Sequence, residues 1–441
     1  MKKMIFFLGA VFFYGGNCNA QNESRFKSLK DNINKNELAT QNPKKGIDPK
    51  TWMDRGKLFH EAYNVNVGYL RPGMQQLETK LFFKEPKQVI TSDDGKETYE
   101  YSQLNLHFVD GALATWEETM QNFVNPLGEA VKAYQKAASL DEKGKNAKKI
   151  TEAYKSINLD LESKFLNEYS LGLNDNNPAR YEDAYNTIMQ RIEVSKLLGF
   201  NDTTYYYYAG WIASAQGETD NSKWQLAVDN LEKAFALGYK ETDERKGEIY
   251  DLLYNACINT GDSIKALEYA QTGFALNPNY DRLMYNLINY YLFRGENHKT
   301  LEYIEQAIAK DPKSPSLLFA KGRVLDQLGE VEKALEAYEV AIQVDPQFFD
   351  AYYNKAVTYH NYAVKLMDDA NEAKTNAEFE VKQNLAYDEF AKAIPLLEKA
   401  LELNPEDTTT MDILKTLYFR LRVRNPEYEA KINAINEKLA N

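Results

Sequence analysis

The 441-residue sequence predicts an all-α fold, built of helical hairpins stacked in series, with a small inserted segment near the N-terminus. Three observations carry this expectation. Pro278, Pro312 and Pro346 stand 34 residues apart, each directly after an Asn or Asp. Gly261, Gly295 and Gly329 repeat at the same interval. Between these marks, apolar residues such as Met284, Leu287 and Tyr291 recur every three or four positions, the period of one helix face. One hairpin of this size cannot bury its apolar face alone, so neighbours must stack.

The chain opens MKKMIFFLGAVFFYGGNCNA, two lysines before a short apolar run and then small residues at Cys18 and Ala20. That is the pattern of an export signal over 1–20, cut before Gln21. The run is about half the ~20 residues that a membrane-spanning helix needs. A periplasmic address is expected, with secretion or a lipid anchor on Cys18 as alternatives. Removing Lys2 and Lys3 takes the net charge from −12 to −14 and leaves Cys257 as the sole cysteine. An exported chain with one thiol has no internal disulfide, so packing must hold it. The acidic balance argues against nucleic acid, whose phosphates need Lys and Arg patches. Residues 21–48 are polar and rich in Asn and Lys, and read as a flexible lead-in.

Residues 49–200 read as degenerate repeats interrupted by an insertion over 63–122. Trp52, Gly56 and Phe59 begin a helix whose partner, with Ala130, Tyr134 and Ala137, comes only after that insertion. Within it, QVITSDDGKETYEY predicts a β-hairpin around Asp94-Gly95. Two long helices follow, from about 146 to 200. Residues 203–348 hold the regular units: Gly210, Ala213, Leu231 and Ala234 mark one, and Leu318, Gly322, Leu325, Ala334, Tyr338, Ala341 and Pro346 another. From 349 to 407 the unit is longer, with the excess in LMDDANEAKTNAEFEVKQN, so both helices should extend as a hairpin with Pro395 kinking the second. Residues 408–441 read as a polar closing helix pair.

In register and length these units resemble the tetratricopeptide-repeat family. The resemblance implies a right-handed α-α superhelix. It also implies small residues where paired helices cross, here Gly322, Ala334 and Ala341, and large ones such as Leu318 and Tyr338 between helices. Ile288 and Tyr254 depart from the small residue at Gly322, and Thr300 from that at Ala334.

Little in the sequence points to catalysis. His60, His107, His298 and His360 lack paired metal-ligand spacing, and neither a phosphate-cradling loop nor a nucleophile elbow occurs. No cofactor or metal is expected, and no enzyme activity. What remains is surface. The family resemblance places the first helix of each unit on a concave groove, where one column reads Tyr207, Asp251, Tyr285, Phe319, Tyr353 and another Trp211, Asn255, Asn289, Arg323. Asparagine amides can donate and accept along an extended peptide backbone. The expected partner is a protein or peptide in that groove. Glycan capture by a helical-repeat protein of the envelope is the alternative, with Trp52, Trp116, Trp211 and Trp224 as the aromatic supply.

Overall fold

The computed structural model describes residues 23–65, 67–83, 85–175, 178–241 and 247–440, so the expected export signal lies outside the described residues. The chain falls into two compact units, residues 1–241 with 255–262 and residues 242–254 with 263–441.

The first unit begins with a correction. The segment expected to be a flexible lead-in forms an 18-residue helix, α1 (Glu23–Thr40), packed on α2 (Pro49–Asn64). Phe26, Leu29 and Ile33 share one face; the first two are buried with Ala62 and Val65, and Ile33 packs beside them. Three apolar anchors on one stripe outweigh the polar composition around them.

A short helix, α3 (Gln76–Thr79), and a four-stranded antiparallel sheet follow. The strands β1 (Gln88–Thr91), β2 (Glu97–Glu100), β3 (Leu104–Val109) and β4 (Ala112–Glu118) pair in chain order. The expected hairpin is β1–β2, with Gly95 in its turn at φ +79°. The second hairpin, β3–β4, extends the expectation and turns at Asp110-Gly111, both at positive φ. β3 alternates in burial and sends Leu104, Leu106 and Phe108 into a core shared with Trp116, Tyr134 and Tyr154.

Only then does α4 (Pro126–Leu140) return to pack on α2. A Cβ on Gly56 would meet the Tyr134 ring at 2.6 Å, so glycine is what lets these two helices close up. The long pair α5 (Ala147–Asp175) and α6 (Pro178–Leu197) comes next, then α7 (Thr203–Gly217) against α8 (Lys223–Ala236). The α7–α8 crossing again uses glycine: Gly210 faces Leu231 and Gly217 faces Trp224.

Helix α9 (Glu248–Thr260) divides between the two units. The second unit continues through α10 (Ser263–Leu276), α11 (Asp281–Phe293), α12 (Asn297–Lys310), α13 (Pro315–Gln327) and α14 (Val331–Val344), each from α10 onward packed on the next. Two backbone devices explain the 34-residue punctuation. Gly295 and Gly329 take positive φ, and the residue after each donates back across the helix end, Glu296 to Tyr291 and Glu330 to Leu325, both at 2.9 Å. This is the left-handed glycine stop, whose backbone geometry other residues rarely adopt. At the other end of each hairpin the Asx side chain accepts from the amide two residues on: Asn277 from Asn279, Asp311 from Lys313, Asp345 from Gln347. Proline between them fixes the turn and cannot continue the helix.

The long hairpin is α15 (Phe349–Asn371) with α16 (Asn376–Leu403), the latter running on through Pro395. The last pair is α17 (Thr408–Leu421) and α18 (Glu427–Ala440). Among the described residues, no helix is long and apolar enough to cross a membrane.

Candidate functional site

Asp251 apart, the eight groove residues do not stand alike. Tyr207, Trp211 and Asn255 belong to the first unit. Tyr207 is a correction: it is 2% exposed and stacks on Tyr239 with ring centroids 4.7 Å apart, so it is packing rather than a groove side chain. Trp211 is half-buried, edge-on to Tyr169 and Tyr181, and Asn255 is half-buried on α9. The same inward pull takes the other tryptophans: Trp116 and Trp224 are buried, and Trp52 packs against the core with its indole donating to the Gly46 carbonyl at 2.8 Å. None of the four is exposed.

The other five, in the second unit, fall on related stripes of three helices. On α11, Arg282, Tyr285, Asn289 and Phe293 are all exposed and lie at i, i+3, i+7 and i+11, one stripe of a helix. On α13 the same steps give Ser316, Phe319, Arg323 and Gln327, and on α15 Asp350, Tyr353, Val357 and Asn361. Each stripe is offset from the last by 34 residues, and every one of the twelve residues is exposed or half-buried. The aromatic column is therefore Tyr285, Phe319, Tyr353. Phe319 leans on Phe348 and Tyr338, at 5.3 and 5.9 Å between centroids, and Tyr353 stacks on Phe349. The Arg323 guanidinium lies 6.0 Å from the Phe319 ring.

Sequence reasoning missed two parts of this surface. Phe293 is 94% exposed, the most exposed large apolar side chain among the described residues. Its place four residues beyond Asn289, just before the Gly295 stop, was the available signal. Asp251, assigned to the aromatic column, is instead buried, and its carboxylate accepts from Asn286 at 2.7 Å and from Arg282 at 3.3 Å. It anchors the first stripe: Arg282 has its side chain 76% exposed yet keeps one end on Asp251. The Asp251 carboxylate also holds Arg282 more firmly protonated, and burial together with Asp251 pushes the Tyr280 hydroxyl up to about 12.

His60 sits 2.6 Å from Asp160, which also takes Arg71 at 2.8 Å, a partly buried ion cluster in the first unit. Among the described residues, no three His, Cys, Asp or Glu side chains are placed to hold a metal. Cys257 is buried and unbonded to another sulfur.

With the hairpins in view, comparison with known proteins adds the family. A family model described as TPR repeat matches residues 322–361, spanning α13, α14 and the start of α15. Over those residues the chain carries the tetratricopeptide repeat. No curated protein matches it. Among solved structures, the C-terminal part of a TPR repeat-containing protein from Cytophaga hutchinsonii is 16% identical with a TM-score of 0.44, covering 62% of this chain and 92% of that one. YrrB, described as a TPR protein with an unusual peptide-binding site, is 19% identical with a TM-score of 0.36, over 51% of this chain and 96% of its own. MamA of AMB-1 is 18% identical with a TM-score of 0.33, over 46% and 92%. These are distant likenesses, and the repeat itself carries the assignment.

Proposed function

We propose that the protein is a non-enzymatic scaffold of the bacterial cell envelope that binds a protein or peptide along the stripes of α11, α13 and α15. The observation that carries this is the repetition of the stripe. The first helices of three successive hairpins present an aromatic residue at one level, with Asn289 and Arg323 one turn further on, and nothing in the packing requires Tyr285 or Phe293 to stand in solvent. Exposed aromatics and arginine are the side chains that most often dominate protein interfaces. Amide and guanidinium groups beside them suit the carbonyls of an extended chain. Export rests on the composition of residues 1–20, and the charge of −14 that remains after cleavage favours a neutral or basic partner. The inward-facing tryptophans make sugar stacking the weaker use of this surface.

Site-specific photo-crosslinking in the native cell tests this. A benzophenone side chain at 285 or 293 should capture one protein species. The same group at Lys333, exposed on α14, should not. Equal capture from 333, or retention of oligosaccharide without any protein adduct, would overturn the reading. Terminal sequencing of the mature chain should begin at Gln21; a lipidated Cys18 would make it membrane-tethered.

A further inference from the structure

The inserted sheet does more than lengthen the chain. Where β4 meets the C-terminal end of α2 and the C-terminal half of α5 it borders a half-open cavity of about 310 Å³, with the start of α6 on its outer side. This volume is at the small end of the range for ligand sites. Its inner walls are aromatic: Tyr63 and Trp116 are each 4% exposed. The wall is also fixed. Asn167 accepts from the Trp116 amide at 2.8 Å and donates to the Trp116 carbonyl at 3.0 Å, which ties β4 to α5.

The charges around it do not balance. Among the described residues, four carboxylates line it, Glu117, Glu118, Glu168 and Asp183, against two cations, Lys164 and Arg180. Both cations are engaged: Lys164 with Glu168 and with the Thr187 hydroxyl, Arg180 with Glu117. Burial pushes the Glu117 carboxyl up, but Arg180 and His107 outweigh it and leave it below its ordinary value, so it stays charged. Glu168 gives one oxygen to Lys164, while its other oxygen is buried and accepts no hydrogen bond from the protein. That oxygen is closed to solvent, so Glu168 acts on the cavity through its charge rather than through a free acceptor.

We propose that this cavity takes the side chain of a lysine or arginine from a protein partner. The net negative lining disfavours an anion. The two cations in the wall, and the absence among the described residues of three ligating groups within reach of one metal ion, disfavour a divalent cation. An ammonium or guanidinium brings three to five donors on a long alkyl stem. Val67 and Leu171 supply apolar wall for the stem, Trp116 and Tyr63 add aromatic wall beside it, and the surplus of carboxylates offsets the charge. The proposal does not depend on the stripes of α11, α13 and α15.

The test uses the full chain labelled with 5-fluorotryptophan, its four resonances assigned by substitution, and two probes that differ in the terminal ammonium alone. Nα-acetyl-lysine amide should move the Trp116 resonance saturably, in the millimolar range expected of one side chain. Nα-acetyl-norleucine amide, which keeps the four-carbon stem and lacks the ammonium, should not. Glu168→Gln should weaken the lysine probe about tenfold or more, and Asp183→Asn, at an exposed position, several-fold. No shift of Trp116, an equal shift with norleucine, or a folded Glu168→Gln that binds like the parent would each overturn the proposal. The readout sits in the first unit and registers nothing from the stripes of the second, so the two readings fail separately.

Discussion

Gly322 sits in the interior of α13, where glycine costs a helix about 0.8–1.0 kcal/mol relative to alanine. Propensity alone therefore predicts that Gly322→Ala stabilises the protein by about that amount. The packing predicts the opposite. An alanine Cβ would stand 2.6, 2.7 and 3.0 Å from three ring atoms of Tyr338, and that ring is 1% exposed and wedged beside Phe319. It has no free end to swing away. Forcing a methyl into such a contact costs roughly 1–3 kcal/mol. The clash should win, leaving Gly322→Ala destabilised by up to about 2 kcal/mol. The sign should then reverse when the ring is gone. In a Tyr338→Leu background the same substitution meets no ring and should recover the helical gain of about 1 kcal/mol. Urea denaturation followed by circular dichroism, on the four members of this cycle, measures both numbers. If Gly322→Ala stabilises the parent chain, or shifts both backgrounds equally, the helix crossing does not have this geometry and the repeat register is wrong.

Other outcomes follow from the same structure. Ala334 is fully buried in the cluster with Leu325 and Tyr338, so Ala334→Leu should cost roughly 1–3 kcal/mol by overpacking, read as a shift of the denaturation midpoint. Phe293→Ala and Tyr285→Ala should each stay within about 0.5 kcal/mol of the parent, whereas Leu287→Ala, on the same helix but fully buried, should lose about 2–5 kcal/mol; a stripe residue that behaves like Leu287 is core and not surface. Burial raises the Asp326 carboxyl above its ordinary value, against a weaker opposing bond from Thr358. Its native form thus binds a proton more readily than the unfolded chain, so stability from this group is present below pH 3.8 and falls as pH rises through the folded value. Asp326→Asn should remove that slope and be at least as stable as the parent at neutral pH; a variant that is less stable at pH 7 and keeps the slope would refute the assignment.

The repeat was legible because each unit writes the same physical requirements at the same spacing: a left-handed glycine stop, an Asx-Pro turn, a small residue where helices cross. Gly56 over Tyr134 shows that the rule survives an insertion of some sixty residues, since the crossing and not the separation is what the chain preserves. The helix α1 was overlooked because composition was weighed over 21–48 as a whole, while Phe26, Leu29 and Ile33 already carried a helical stripe. The β3–β4 hairpin carried the same Asp-Gly signal as the first, at Asp110-Gly111. The site was harder. Which way a tyrosine faces on a first helix depends on its neighbours: Tyr207 has Tyr239 to stack on, and Tyr285 is left 44% exposed. That difference lies in tertiary partners and not in the repeat position.

The detour between α2 and α4 also sets an order of events. Residues 65–125 separate these two helices, while only 294–296 separate α11 from α12. Closing the longer connection costs about 2–3 kcal/mol more in chain entropy. The strands between them are joined by tight turns, so the sheet can form early and shorten the gap before the helices meet. On a growing chain, α2 is made first but waits for α4, whereas each later hairpin closes almost as soon as its second helix exists. The pair α2–α4 is thus among the slowest to complete although α2 is made early, and α1, which rests on α2, covers the element left longest without that partner.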